Sequence, residues 1–152
     1  MIGWPNGGAM YKRVLITVDH SSADETILAH IEALHQYIHC EVVLLHVADG
    51  WGARYFDRLK LKATEEMKED LQYLSHLAER LRAKGITTTF HLAAGEPARE
   101  IVKFANDDEC NLIAMATHGH RWLADFFFGS TADKVRHEVD IPVLLLKAPK
   151  QK

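Results

Sequence analysis

Met10–Glu25 reads MYKRVLITVDHSSADE, and the order of its parts decides the fold. Val14–Val18 is short, rich in β-branched residues and almost wholly apolar. Such a run suits a strand covered on both faces, as in a parallel sheet, rather than a half-exposed strand. Polar residues follow at once, Asp19-His20-Ser21. Ser22-Ala-Asp-Glu25 then spells a capping box, with a hydroxyl at the helix start and a carboxylate three residues on. Ile27, Ile31, Leu34 and Ile38 recur at four, three and four residues and make one helical stripe.

The same alternation continues along the chain. Val42–Val47 is a second buried strand. From about Tyr55 to Lys84 the period is helical, with a seam of Leu59, Ala63, Met67, Leu71, Leu74, Leu77, Ala78 and Leu81, and Gly85 stands where a C-cap glycine belongs. Thr87–Leu92 reads as a third strand. Glu96-Pro-Ala opens a short helix with proline at its first position, turning Ile101, Val102 and Ala105 inward. Leu112–Ala116 is the fourth strand. Ser130-Thr-Ala-Asp133 is a second capping box before Ala132, Val135 and Val139, and Ile141–Leu146 is the fifth strand. Strands and helices in this order imply a single doubly wound α/β domain with right-handed crossovers and helices on both faces of a five-stranded parallel sheet. The strand order is 3-2-1-4-5 if the first and fourth strands flank the point where the order reverses. The expected boundaries are a flexible extension over 1–9, the domain over 10–149 and a tail over 150–152.

Composition narrows the class. With 47% hydrophobic and 26% charged residues, 152 residues supply one good core and no more. Eighteen basic against 21 acidic residues leave a net charge of -3, which excludes a strongly basic nucleic-acid binder. No apolar run is long enough to span a bilayer, and the start lacks the basic and apolar regions of a secretory signal. Cys40 and Cys110 stand far apart without a spacing motif, as two small buried residues in a reducing cytoplasm would.

Ligands of such sheets sit beyond the carboxyl ends of the strands, where strand order reverses. Two strand ends are unusual here: Asp19-His20-Ser21 after the first strand, and Ala116-Thr117-His118-Gly119-His120 after the fourth. The latter leads through Arg121–Phe128 to Gly129-Ser130-Thr131. Gly129 and Ser130, read as preceding a helix, are either an ordinary cap or an amide cradle for phosphate.

These residues resemble the universal stress protein family from Tyr11 to Lys147. The resemblance rests on Asp19, Leu45-His46-Val47, Gly95-Glu-Pro-Ala98 and the block Ile113–Ser130. The nucleotide-binding branch of that family carries Gly-x-x-Gly, nine residues, then Gly-Ser or Gly-Thr. Here Gly119, nine residues and Gly129-Ser130 keep the spacing, and Ala116 replaces the first glycine. A strand-end alanine costs little if its backbone is extended and more if a left-handed conformation is required. The resemblance implies ATP bound by Thr17, Val18 and Asp19, by the backbone of Val47, by Met115, Ala116 and Thr117 at the ribose and first phosphate, and by Gly119, His120, Gly129, Ser130 and Thr131 at the phosphates. Asp19 is equally readable as a turn cap.

Ten histidines invite a metal reading. A structural zinc needs four ligands, and His118-Gly-His120 supplies two, with Cys110 at the far end of the strand. A Mg2+ held by nucleotide phosphate and water fits better. His46, inside an apolar strand, reads as a hydrogen-bonded core or site-edge histidine. Trp122, Phe126, Phe127 and Phe128 read as packing residues between the glycines. The resemblance further implies a homodimer through the fifth strand, Val143 to Leu146, and a cytoplasmic, nucleotide-dependent switch or sensor in a stress response. An unidentified protein partner would read that switch, with at most slow ATP hydrolysis. The rival reading is a dimeric adaptor of the same fold that binds no nucleotide. An adenylating enzyme is disfavoured by the lack of any glycine after the first strand, and a dinucleotide oxidoreductase still more by the missing Gly-x-Gly-x-x-Gly there.

Overall fold

The computed structural model describes residues 10–49, 59–117 and 124–149. Strands and helices alternate as β1 (Arg13–Thr17), α1 (Ala23–Ile38), β2 (Glu41–Asp49), α2 (Leu59–Ala83), β3 (Thr88–Gly95), α3 (Pro97–Asp107), β4 (Leu112–Thr117), α4 (Ala124–Glu138) and β5 (Val143–Lys147). All pairings are parallel and the strand order is β3-β2-β1-β4-β5, the order expected with the first and fourth strands flanking the reversal.

The pleat sorts the strand residues into two cores. Val14, Ile16, Val42, Leu44 and Ala114 pack with Ile27, Leu28 and Ile31 of α1 and Leu74, Leu77 and Leu81 of α2. Leu15, Val43, Leu45, Ile113 and Met115 face Ile101 and Ala105 of α3 and Ala132 and Val135 of α4. Successive residues of a strand point to opposite faces, so wholly apolar strands are what a sheet covered on both sides requires. Cys40 and Cys110 are buried free thiols, one in each core, and burial raises both, Cys110 to about 11.

Helix ends depart from the sequence reading in three places. Ser22 stands at the N-cap of α1 without a side-chain cap bond, so the expected box with Glu25 does not form. Glu25 instead pairs with Arg80 of α2 at 2.8 Å, and the orphan amide of Ala23 donates to the Ser21 hydroxyl at 3.2 Å. In α2 the seam is buried from Leu74 to Leu81. Met67 and Leu71 are 48% and 40% exposed, and the side chains of Leu59 and Ala63 lie outside the described residues. Third, α4 begins at Ala124, not at Ser130. The other two ends match their signals. Glu96 caps α3 by accepting from the Arg99 amide at 2.9 Å, with Pro97 following. Gly85, at φ 81°, closes α2 with Ile86 N–H on Leu81 O and Gly85 N–H on Arg82 O, the two bonds of a Schellman motif.

Candidate functional site

The order of the strands reverses between β1 and β4, and the two strands part there. Their pairing runs from Val14–Leu112 to Ile16–Ala114, and Thr17 and Met115 are the next residues. On its other side β1 stays attached, with Thr17 paired to Leu45 and the Val18 amide donating to Leu45 O at 2.9 Å. β4 likewise stays on β5 through Ala116–Leu146 and Thr117–Lys147. A crevice therefore opens at the carboxyl ends of β1 and β4, where an open α/β sheet takes its ligand.

Pleat alternation divides the expected site residues between two faces. Met115 belongs to the α3–α4 core and Val47 packs against it. Thr17, two residues after Leu15, shares that face, as does Thr117 after Met115. Thr131 of α4 is buried, 5% exposed. Val18 and Ala116 belong to the opposite core, so only their backbone can reach a ligand on the α3–α4 face. The Ala116 methyl points away from that face. Ala116 is also not among the positive-φ residues, so its backbone is one that alanine adopts without strain.

Thr17 is the chemically telling residue. It is 7% exposed, and its hydroxyl is buried with no hydrogen-bond partner among the described residues. A buried hydroxyl left unpaired costs free energy, and native structures rarely keep one without a reason. Thr117, by contrast, lies 3.4 Å from Leu146 O.

Asp19 is half-buried and works locally. Its Oδ1 accepts from the Ser21 amide at 3.2 Å and from the Ser21 hydroxyl. The turn-cap role is thus present in the structure, at the mouth of the crevice. Gly119 and His120 lie outside the described residues, together with His118 and Arg121. Gly129 and Ser130 fall in the second turn of α4, because that helix starts five residues before Gly129. In a helix interior, amides are committed to carbonyls four residues back, so the expected cap at Ser130 is replaced by continuous helix.

A set of polar residues that sequence reading passed over surrounds the end of β1. Asp24 is 2% exposed, and its carboxylate accepts from the Asp19 amide (3.1 Å), the His20 amide (2.9 Å) and the Tyr73 hydroxyl (2.7 Å). Burial pushes Asp24 up to about 7; the Tyr73 bond opposes this and the neighbouring Asp19 charge adds to it. Burial also raises Tyr73 above the ordinary phenol range. His46, expected as a hydrogen-bonded core or site-edge histidine, bonds through Nδ1 to Val18 O at 2.8 Å. One signal was available for Asp24: it lies three and four residues before Ile27 and Leu28, on the buried stripe of α1.

Two further clefts lie away from the crevice. One, of about 640 Å³, is at the amino ends of the strands, where Arg13 bridges Glu41 and Asp108. The other, about 260 Å³, lies between β3 and α3 beside His91 and Phe104. No cluster of metal-ligating side chains occurs among the described residues, and no described helix is long and apolar enough to cross a membrane.

Comparison with known proteins agrees with this geometry. The universal stress protein family matches residues 10–147. Universal stress protein MJ0577 of Methanocaldococcus jannaschii is 30% identical over 158 residues, covering 91% of this chain and 96% of the relative. The solved structure of MJ0577 superposes with a TM-score of 0.82 at 28% identity, over 93% of this chain and 99% of the other. An Archaeoglobus fulgidus universal stress protein, solved in complex with dAMP, shares the fold at a TM-score of 0.67 and 24% identity, over 91% and 99%. With the family matched over residues 10–147, a relative 30% identical along nearly its whole length and the same fold, the chain is a member of the universal stress protein family.

Proposed function

We propose that this chain binds an adenine nucleotide, ATP with its Mg2+, in the crevice between β1 and β4, and acts as a nucleotide-dependent switch. The observation that carries this reading is the buried Thr17 hydroxyl, unpartnered among the described residues, at the point where the two strands part. A ribose or phosphate oxygen there would satisfy it. Asp19 and the Val47 backbone would hold the nucleoside, with Met115 and Thr117 beneath it. Gly119, His120, Gly129, Ser130 and Thr131 would take the phosphates, with Mg2+ held by phosphate oxygens and water. The orientation of Ala116 favours this over the non-binding adaptor, since its methyl does not enter the ligand face. The same fold holds dAMP in the Archaeoglobus protein.

The continuous α4 helix gives the switch a physical form. For the Gly129 and Ser130 amides to meet phosphate, Ala124–Phe128 must leave the helix and free them. Glycine at 129 makes that opening easier, being a poor helix former. Binding would then trade a segment of helix for phosphate contacts, a difference between states that a protein partner can read. The net charge of -3 offers no general attraction for an anion, so affinity has to come from local amides.

Titration calorimetry with ATP and Mg2+ tests the reading. Binding is expected, and abolished in a folded Gly129→Val variant. Absence of heat at millimolar ATP would overturn it, and unchanged affinity in the variant would remove Gly129 from the site.

A further inference from the structure

Behind the crevice, on the α1–α2 face of the sheet, a polar network grips the turn that carries Asp19. Asp24 of α1 accepts the amides of Asp19 and His20 and the hydroxyl of Tyr73 on α2. His20 is held at φ 63°, a conformation that persists in a non-glycine residue only where its surroundings enforce it. Its ring stacks on Tyr73, with centroids 3.9 Å apart and planes at 16°. Asp70, one turn earlier on α2, places one carboxylate oxygen 3.5 Å from His20 Nδ1 and the other 3.5 Å from His46 Nε2. His46 in turn bonds the Val18 carbonyl. The backbone of Val18, Asp19 and His20 is thus tied from α1 and β2, and the ring of His20 from α2.

We propose that Asp24 is a positioning residue for the nucleotide site: its ionised carboxylate holds the Val18–His20 turn in the shape that presents Asp19 to the nucleoside, and protonation loosens the turn and lowers nucleotide affinity. This rests on the function proposed above. The chemistry lies in the donor count. A carboxylate accepts from all three donors at once. A protonated carboxyl must donate its own hydrogen, which reverses the Tyr73 bond and weakens the oxygen that also serves the His20 amide. Burial makes this change accessible near neutrality.

The titratable groups facing Asp24 are Asp19 from the turn and Tyr73 from α2, with Asp70, His20 and His46 joined through them. The comparison with Asp24→Asn isolates the carboxylate's share of the pH profile.

The experiment is calorimetric titration of the full chain with ATP and Mg2+ from pH 6 to pH 8, for the wild type, Asp24→Asn and Tyr73→Phe. The ratio of wild-type to variant Kd at each pH cancels the protonation of the nucleotide itself. The expected result is a relative weakening of the wild type at the acid end, on the order of 5-fold against Asp24→Asn. Tyr73→Phe, which removes a bond favouring the ionised acid, should move the midpoint of the effect to higher pH. It also supplies a readout if Asp24→Asn does not fold. A constant ratio and an unmoved midpoint, with binding intact, would overturn the inference and leave the function standing. No binding by the wild type at any pH would overturn the function and the inference with it.

Discussion

A buried hydroxyl without a partner lowers stability, so Thr17 makes a prediction in two directions. Thr17→Val keeps the shape and removes the unpaired group. The variant should gain about 1 kcal/mol in urea unfolding while losing roughly 5- to 10-fold in ATP affinity. A variant that loses stability would show that the hydroxyl has an internal partner. Asp24 makes a second prediction, independent of any ligand. Its folded-state value, about 7, lies above the ordinary 3.8. Between those values the folded chain holds a proton that the unfolded chain has released. Stability from this group is therefore complete below about pH 4 and is lost as pH rises through 7, with a limiting slope of about 1.4 kcal/mol per unit. Urea unfolding at pH 5 and pH 7 should show this fall in the wild type and its attenuation in Asp24→Asn. Asp19 and Thr17 were legible at this scale because polar residues end an apolar run. Tyr73 and Asp70 were not, because what they touch lies on other elements, far away in sequence.

Among the elements, α2 and α4 end and begin for different physical reasons. The Schellman closure of α2 depends on Gly85 at φ 81°, with open space around the position of a side chain. Gly85→Ala should cost about 1 kcal/mol from backbone strain alone, measurable by chemical denaturation. A Cβ clash plays no part in this, so Gly85→Asn should cost less, since Asn tolerates that conformation better. α4 has no such terminus signal at Ala124. Its sequence carries the better cap at Ser130, yet the helix extends back through Gly129. If phosphate binding releases that extension, circular dichroism should report a loss of roughly five helical residues on adding ATP and Mg2+. An unchanged spectrum with binding intact would mean that the phosphates are held without unwinding. Capping boxes were thus the least reliable signals here. At Ser22 the flanking carboxylates found stronger partners, Glu25 in Arg80 and Asp24 in the turn behind it.

For the whole molecule, the sheet order leaves β3 and β5 as edges. β5 is short and only partly covered, and Leu145 is 42% exposed on it. An apolar residue on an unpaired edge favours association, and pairing of two β5 strands would bury it in a symmetric interface. We expect sedimentation to give twice the chain mass at micromolar concentration and Leu145→Lys to give the monomer. A monomeric wild type would count against the dimer. One continuous sheet carries both the crevice and this edge through β4, so a change at Met115–Thr117 has a direct path to Leu145–Lys147.

The parallel sheet and its two-sided burial were determined by local pattern, since apolar β-branched runs separated by amphipathic helices join through right-handed crossovers. The order 3-2-1-4-5 followed only from placing the two polar strand ends, after β1 and β4, side by side. Tertiary structure alone decided which face each strand-end residue serves. It turned the Ala116 methyl away from the ligand side, left the Thr17 hydroxyl unpaired among the described residues, and drew Asp24, Tyr73, Asp70 and two histidines together behind Asp19. The reason is range. A hydrophobic period is written within a few residues of itself, whereas the partner of a buried polar group is fixed only when α1, α2 and the sheet have packed.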